Sequence, residues 1–423
     1  MSHALRAQVA DITPRDAEPL FGFVSRRGPY DRVHDRLEIN GALLSCGENR
    51  ALFLSFDLLY VGPTVTDSLK AYCNERYELP GSAVFLSASH THFAPSTDET
   101  KPMLGKASAT YIEEVDGRAK RLIDELFART QRKVELRTQR STIGAAVNRR
   151  LPRWTIGPPR GLQRTVVIAP NPHGPFDPDI HVLAARDEEG KLAAVFWNYA
   201  CHPVAFPRPT LVSSEFAGRV RDAIRSYADA EIPVIFWQGF SGDVRPRVLQ
   251  ARLSARARLR NLLRGPSFGT FAYEEWEVWT ASIAERVIYA LEATRSATPI
   301  SGDISTRSCT MPLTELFSKP NRIRELEFQR IDIGDTLTVF GASAELVTEY
   351  IWRTRNRLNR KTVICVGCVG PVYGYFPTAR QIAEGGYESD EFRAHFSISG
   401  RFAASPETVL ERALNLLSCT HRF

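Results

Sequence analysis

Residues 83–95, AVFLSASHTHFAP, join a short apolar run to a polar turn that contains two histidines. The run at 83–87 predicts a buried strand of a sheet that is covered on both faces. His90 and His92 follow at the carboxyl end of this strand, and Pro95 closes the turn. In open sheets, residues that contact a ligand gather at the carboxyl ends of buried strands. The stretch therefore predicts a sheet protein and also the position of its site.

A second apolar run has the same arrangement. Residues 193–203, AAVFWNYACHP, end in His202 followed directly by a proline. Two strand ends that carry histidines can converge on one metal ion, and a catalytic zinc site needs three protein ligands and an open position. The alternative for each histidine alone is a hydrogen-bonded polar residue at a strand end, without any ligand.

The remaining periodicities predict a mixed α/β (α+β) fold. Strand-like runs occupy residues 37–44, 51–59, 83–87, 133–140, 181–186, 193–197, 234–238, 322–331, 337–341 and 362–366. Helical patterns occupy residues 64–76, 109–125, 215–227, 276–291 and 345–358. Strands and helices are mixed, and no linker or internal repeat interrupts them, so we expect a single large domain over residues 1–423. The segment 156–179 is rich in glycine and proline and predicts a long functional loop.

Composition narrows the class of protein. Hydrophobic residues make up 43% and charged residues 24% of the 423-residue chain, which is typical of a globular protein with a large core. The N-terminus has no apolar signal region, and no apolar run approaches the roughly 20 residues of a membrane span. We therefore expect a cytoplasmic protein without stable membrane insertion. The seven cysteines predict no disulfide framework, and Cys365 and Cys368 of the C-x-x-C sequence are expected to be reduced.

Much of the net charge of +6 comes from seven arginines in residues 245–265. A helix of this kind can follow phosphates, or it can be a solvated face whose arginine stems cover apolar surface. No aromatic residues alternate with the arginines and no nucleic-acid motif is present. We therefore expect no nucleic-acid partner.

Six further segments, taken in order, resemble the N-terminal catalytic domain of the neutral/alkaline non-lysosomal ceramidase family. They are HTHFAP (90–95), NRRLPRW (148–154), NYACHPVAF (198–206), GFSGDVRP (239–246), GASAEL (341–346) and YFPTARQIAEGGYE (375–388). The resemblance covers roughly residues 10–395. It implies a neutral-ceramidase-like domain with a mixed sheet flanked by helices.

The resemblance also implies one Zn²⁺ ion per chain. Its ligands would be His90, His202, Glu345 at a helix start, and Tyr375. Tyr373 stays an alternative, although the spacing from Tyr375 to the later tyrosine of GGYE fits the family better. Two imidazoles, a carboxylate and a phenol form a nitrogen and oxygen set that suits zinc. Such an ion lowers the pKa of a bound water towards ~7 and polarises an amide carbonyl.

His92 and Arg149 correspond to residues that contact the reacting carbonyl. Each donor to the developing oxyanion would contribute roughly 3 kcal/mol, and His92 could also protonate the departing amine. Tyr375 could donate a hydrogen bond to the same oxygen. The substrate-binding residues that we expect are Arg245, Asp243, Tyr373 and Tyr387.

Two departures from the family narrow the function. Arg245 stands where the long ceramidases have a serine, which excludes a serine nucleophile there and indicates an anionic group on the substrate. The chain also ends about where the catalytic domain ends, so no C-terminal immunoglobulin-like domain is expected.

These features predict a zinc-dependent amidohydrolase that hydrolyses the C–N bond of a small soluble amide, an anionic one in particular, through metal-activated water. The alternatives are a ceramidase-type N-acyl-sphingoid lipid deacylase and a metal-free binding protein that retains the fold. The oligomeric state stays open, with a homo-oligomer as one option.

Overall fold

The computed structural model of the chain describes residues 2–157, 161–248 and 265–418. Within these ranges the strands are β1 (His3–Asp11), β2 (Arg32–Val33), β3 (Glu38–Cys46), β4 (Asn49–Phe56), β5 (Val84–Ala88), β6 (Arg132–Thr142), β7 (Ala146–Gly157), β8 (Gly161–Asn171), β9 (Asp179–Arg186), β10 (Leu192–Tyr199), β11 (Leu211–Val212), β12 (Val234–Gln238), β13 (Val244–Pro246), β14 (Ile304–Pro312), β15 (Glu325–Ile333), β16 (Leu337–Ala342), β17 (Glu345–Leu346), β18 (Thr362–Val366) and β19 (Tyr375–Phe376). The helices in the same ranges are α1 (Pro63–Tyr77), α2 (Ala109–Ala128), α3 (Glu215–Ala228), α4 (Tyr273–Ala293), α5 (Glu349–Leu358), α6 (Ala379–Glu384), α7 (Phe392–His395) and α8 (Pro406–Ser418). A π-helical turn, Tyr387–Glu391, precedes α7.

Eight strands form the larger sheet, in the order β12–β10–β9–β6–β1–β3–β4–β5. Its central pairs are antiparallel, whereas the outermost pairs, β10 with β12 and β4 with β5, are parallel. Strand β3 is buried along its whole length, because both faces of the sheet are covered. The sequence prediction of a mixed sheet flanked by helices is confirmed.

A second sheet, β14–β15–β16–β18, packs on one face of the larger sheet. Aromatic rings fill the space between them: the ring centroid of Phe53 lies 5.6 Å from that of Phe196 and 5.5 Å from that of Trp237. Val339 and Ile364 of the second sheet belong to the same buried cluster. Burial of this apolar surface is the main favourable contribution to joining the two sheets.

Helices cover the outer faces. Helices α1 and α2 pack on one half of the larger sheet, and α3 and α4 pack on the other half. Helix α8 packs on β14 and β15 of the second sheet. The result is a four-layer α/β/β/α arrangement, in which each amphipathic element buries its apolar face. No helix of the described ranges has the length and apolar character needed to cross a bilayer.

The segment predicted to be a long loop, 156–179, is in large part a strand. Strands β7 and β8 form an antiparallel hairpin, and β13 pairs with β7 on its other side. The sequence Thr165–Ile168 is β-branched throughout, and such residues favour strands. This correction matters because the hairpin carries Arg149. Residues 249–264, most of the arginine-rich segment, lie outside the described residues.

The carboxyl ends of β5, β12, β16 and β18 meet at one place, where main-chain hydrogen bonds join the two sheets. The amide of Ala88 donates to the Cys368 carbonyl at 3.1 Å, and the amide of Gly367 donates to the Gln238 carbonyl at 2.8 Å. The amide of Gly370 donates to the Leu86 carbonyl at 2.8 Å. These bonds hold loops from distant parts of the sequence in one rigid unit.

Replacing Phe53 with alanine tests the aromatic cluster between the sheets. We expect Phe53→Ala to lower the free energy of unfolding by about 3–5 kcal/mol, because a cavity replaces the ring. Urea unfolding followed by circular dichroism measures the change. Tyr289→Ala is the control, since this ring on α4 is 60% exposed, and its effect should stay within about 0.5 kcal/mol. Equal losses for both variants would contradict this role of the cluster.

Candidate metal centre

His90 lies directly after β5 in the left-handed region of backbone space, with φ of 67°. This conformation is uncommon for a residue other than glycine and is typical of functional sites. Its amide donates to the Leu58 carbonyl at 2.9 Å. The ring Nδ1 lies 3.1 Å from the Leu59 carbonyl and 3.4 Å from Cys368 Sγ. Nδ1 therefore has its partners, and Nε2 points into the buried interior of the site.

His202 follows β10 and has a similar environment. Its Nδ1 lies 3.1 Å from the Ser241 carbonyl, and its Nε2 lies 3.0 Å from His90 Nε2. A carbonyl at Nδ1 selects the tautomer that has a proton on Nδ1 and a lone pair on Nε2. Two such lone pairs at this distance repel each other unless a proton or a cation lies between them. The pair of rings is thus built to share a positive species.

Glu345 completes this group. The sequence placed it at a helix start, but α5 begins at Glu349, and Glu345 lies in β17 instead. The reason is its pairing with Tyr375 of β19, which includes a hydrogen bond from its amide to the Gly374 carbonyl at 2.9 Å. Its carboxylate Oε2 lies 3.5 Å from Nε2 of both histidines and is buried without a hydrogen-bond partner.

The protonation of the two central histidines agrees with this geometry. Burial opposes charge on His90, but Cys368 and Glu345 beside it raise its pKa to about 10. Burial, followed by the charge on His90, holds the pKa of His202 well below its usual value. The centre therefore keeps one positive charge between two rings and a carboxylate, and a metal ion bound there would replace a proton.

His92 is the third histidine of the cluster. One ring nitrogen from each of His90, His92 and His202 lies within 4.8 Å of the others. The Nδ1 of His92 lies 3.1 Å from the Gly22 carbonyl, while its Nε2 is buried without a partner. The geometry therefore offers two donor sets, one with three histidines and one with His90, His202 and Glu345.

The two candidate tyrosines differ in their surroundings. The Tyr373 hydroxyl donates to the Tyr375 carbonyl at 2.8 Å, and its ring packs against Phe317 in the core. Tyr375 lies at the cluster, and burial together with the nearby Glu345 carboxylate raises its pKa far above the usual value. Of the two, Tyr375 is the one that lies beside Glu345 and Arg149, whereas the hydroxyl of Tyr373 is occupied by a main-chain carbonyl.

Arg149 lies on β7 beside this tyrosine. Its guanidinium is 5.4 Å from the Tyr375 ring centroid and 5.6 Å from that of Tyr387. Its Nε donates to Glu388 at 2.7 Å, while its Nη2 is buried without a partner. Arg149 and Tyr387 are thus brought together with the cluster, and one donor of the guanidinium is available to a ligand.

Asp243, which the sequence analysis predicted as a substrate contact, has both carboxylate oxygens occupied by donors within the protein. Its Oδ1 accepts from the amide and the hydroxyl of Thr348, each at 2.9 Å. Its Oδ2 accepts from the Asn148 amide group at 3.0 Å and from that of Gln381 at 3.1 Å. With both oxygens occupied, Asp243 joins β7, α5 and α6 behind the site and leaves no acceptor for a ligand.

Three residues at the site were missed by the sequence analysis. The Tyr60 hydroxyl donates to Oε1 of Glu345. Cys368 contacts His90, as given above. Arg26 donates from Nη1 to the His92 carbonyl at 2.7 Å and lies over the ring of Phe23. No spacing in the sequence connects these residues to the histidines, because each arrives from a separate loop.

Comparison with known proteins supports the fold. No protein-family model and no curated protein sequence matches the chain. The crystal structure of neutral ceramidase from Pseudomonas aeruginosa matches with a TM-score of 0.75 and 15% identity, over 98% of this chain and 74% of that chain. A structure described as ceramidase complexed with C2 matches with a TM-score of 0.74 and 14% identity, over 99% and 75% of the two chains. The chain therefore has the neutral ceramidase fold.

Metal content of histidine variants separates the two donor sets. We expect His90→Ala and His202→Ala to lose bound zinc, since each removes an Nε2 donor of the central pair. His92→Ala should retain zinc, because two histidines and Glu345 suffice as protein ligands of an open site. Plasma mass spectrometry after zinc loading and gel filtration measures the content. His173→Ala, at an exposed position, is the control. Loss of zinc from His92→Ala would favour the three-histidine set.

Removing the Tyr60 hydroxyl tests whether it orients the carboxylate. Without this donor, Glu345 is free to turn Oε1 and Oε2 away from the histidines. We expect Tyr60→Phe to weaken zinc binding by about 10–100-fold, the usual effect of losing a group that orients a ligand. Competition with a chromogenic chelator measures the affinity. Tyr72→Phe is a matched control, because that hydroxyl also donates to a carboxylate, Asp124, at 2.7 Å. Equal affinity for Tyr60→Phe and the parent chain would refute this role.

Proposed function

We propose that the protein is a zinc-dependent amidohydrolase that hydrolyses the C–N bond of a small soluble amide. The observation that carries this proposal is the close approach of His90 Nε2, His202 Nε2 and Glu345 Oε2 in a buried place where the carboxylate oxygen has no hydrogen-bond partner. A group of this kind is costly to bury without a cation. The neutral ceramidase fold supports the same reaction class.

The donors fit zinc better than they fit calcium or magnesium. Two imidazole nitrogens and a carboxylate oxygen match the ligand preference of Zn²⁺, whereas the two hard cations prefer oxygen ligands alone. We propose Tyr375 as a fourth and weaker ligand. When bound, zinc supplies a water of lowered pKa and a Lewis acid for the carbonyl.

Arg149 has a guanidinium donor, Nη2, without a partner, and His92 has a ring nitrogen, Nε2, without a partner. Both atoms are available to the reacting groups. We propose that Arg149 Nη2 donates a hydrogen bond to the carbonyl oxygen as negative charge develops on it. The Nε2 of His92 is buried without a hydrogen-bond partner, while its Nδ1 lies 3.1 Å from the Gly22 carbonyl, which favours the neutral ring with its lone pair on Nε2. His92 Nε2 would take the proton released by the attacking water and return it to the departing nitrogen, so that the amine leaves neutral.

The charge around the site favours an anionic substrate. Arg26 and Arg245 lie in or beside the site, and neither has a carboxylate partner within the described residues. Arg149 is paired with Glu388, and Glu345 is the carboxylate that faces the histidines. An anionic amide is attracted by this field, whereas a neutral lipid gains nothing from it. Ceramidase-type deacylation of an N-acyl-sphingoid lipid is the second candidate, because the matched structures are of ceramidases. Release of fatty acid from N-acyl-sphingosine in detergent micelles distinguishes the two.

Activity assays test the proposal directly. We expect the zinc-loaded protein to release amine from a panel of small amides, and a chelator to abolish this activity until zinc is restored. Arg149→Gln should raise the activation free energy by about 3 kcal/mol, because a donor to the oxyanion is lost, and kcat/KM should therefore fall roughly a hundredfold. Arg164→Gln, an exposed arginine on the same hairpin, is the control and should keep full activity.

Two results would overturn the proposal. One is zinc-loaded protein that hydrolyses neither the small amides nor the N-acyl-sphingosine; a protein of this kind is a binding protein that retains the fold. The other is activity that persists after zinc has been removed, which would require a different nucleophile and a different site.

A further inference from the structure

Arg245 and Arg149 are neighbours on adjacent strands. Strand β13 pairs with β7 in a register that sets Arg245 opposite Val147, and the Arg149 amide donates to the Asp243 carbonyl at 2.8 Å. Arg149 is two residues along β7 from Val147. Residues in this diagonal relation point to the same face of a sheet, with Cα atoms roughly 7–8 Å apart. The two guanidinium groups therefore share one side of the site.

The other charged groups nearby are already paired. Glu388 accepts from Arg149 at 2.7 Å and from Arg150 at 2.7 Å. Arg150 has a second carboxylate, Glu384, at 3.3 Å. Asp243 is occupied by hydroxyl and amide donors, as described for the metal centre. Glu388 and Glu384 neutralise Arg149 and Arg150, and neither carboxylate is left to pair with Arg245 on β13.

Of the three arginines on β7 and β13 near the site, Arg149, Arg150 and Arg245, it is Arg245 that has no such partner within the described residues. No carboxylate of the described residues lies within 4.0 Å of its guanidinium, which instead lies 4.8 Å from the ring centroid of Phe268. Residues 249–264 contain no aspartate or glutamate either. Burial, followed by the charge of Arg149, lowers the Arg245 pKa to about 10. A partly buried, uncompensated guanidinium beside a metal centre is a site that lacks its anion.

We propose that Arg245, with Arg149 beside it, binds a carboxylate of the substrate, so that the protein selects amides that carry a carboxylate a few bonds from the scissile carbonyl. This inference rests on the proposed amidohydrolase function and names the substrate class for it. Arg149 Nη2 contacts the carbonyl oxygen. Because Arg245 is the diagonal neighbour of Arg149, a carboxylate bound to Arg245 is separated from that oxygen by about the length of one short side chain.

Two kinds of molecule meet this requirement. In N-acyl α-amino acids the carboxylate is on the amine side of the amide bond. In monoamides of short dicarboxylic acids it is on the acyl side. Both present a planar anion to a guanidinium, which can bind it through two parallel hydrogen bonds.

Matched pairs of amides test the proposal. N-acetyl-L-amino acids are compared with their neutral carboxamides by release of acetate, and succinamate is compared with neutral succinamide by release of ammonia. In each pair the carboxamide has the shape of the carboxylate without its charge. We expect the zinc-loaded protein to prefer the anionic member of at least one pair by about tenfold or more, the usual effect of a charge-assisted hydrogen bond. The preferred pair identifies the side of the bond that carries the anion.

Variants of Arg245 show whether this residue makes the selection. Arg245→Gln should raise KM for the anionic amide by about tenfold or more and remove the preference of the parent chain for the anionic member of the pair. Arg245→Lys keeps the positive charge but loses the planar guanidinium, so its KM for the anionic amide should lie between that of the parent chain and that of Arg245→Gln. Arg247→Gln is the matched control, since this arginine lies two residues away and is exposed.

Binding of N-acetyl-L-phenylalanine and of succinamate, each measured by calorimetry on the zinc-loaded protein, provides a readout that needs no turnover. Binding that Arg245→Gln weakens supports the proposal even if no amide is hydrolysed, in which case the amidohydrolase function alone fails. Equal use of the anionic and neutral amides of both pairs by the parent chain, or equal binding of N-acetyl-L-phenylalanine and also of succinamate by the parent and Arg245→Gln, overturns the proposal and leaves amide hydrolysis standing.

Discussion

The distance of 3.0 Å between two imidazole nitrogens is the constraint on which the site depends. Backbone carbonyls at Nδ1 of His90 and His202 turn both Nε2 lone pairs towards each other, an arrangement that is unfavourable without a positive species between them. The carboxylate oxygen of Glu345 at 3.5 Å from both nitrogens supplies the matching negative charge. The other residues of the site either position these three side chains or lie beside the positive species that they hold.

The fold meets this constraint by bringing strand ends from two sheets to one place. Parallel pairs lie at both ends of the larger sheet and at the edge of the second, so loops that carry functional residues emerge on the same side. Main-chain hydrogen bonds between the sheets then remove the freedom of these loops. Asp243 provides a second connection, because its four hydrogen bonds join β7 to α5 and α6. A preorganised site of this kind loses little entropy when it binds an ion or a substrate.

Positive charge is distributed unevenly around the centre. Arg149 shares Glu388 with Arg150, and both guanidinium groups are held rigidly by it. Arg245 is left with an aromatic ring as its contact. The same strand register that brings these arginines together therefore leaves one of them uncompensated. This uncompensated charge is the observation behind our proposal that the chain selects an amide with a carboxylate rather than an uncharged lipid.

The sequence by itself determined the mixed α/β class, most of the strands and helices, and the two histidines at strand ends, because apolar periodicity and strand ends are local properties. It also selected Glu345 and Tyr375, but through ordered similarity to a family rather than through physical argument. Only the tertiary structure decided that Glu345 lies in a short strand, that Asp243 holds the scaffold, and that Tyr60, Cys368 and Arg26 belong to the site. Each of these depends on pairing between segments that are far apart in the chain, and such pairing leaves no periodic trace in the sequence. The 3.0 Å approach of His90 and His202, which are 112 residues apart, is the clearest case.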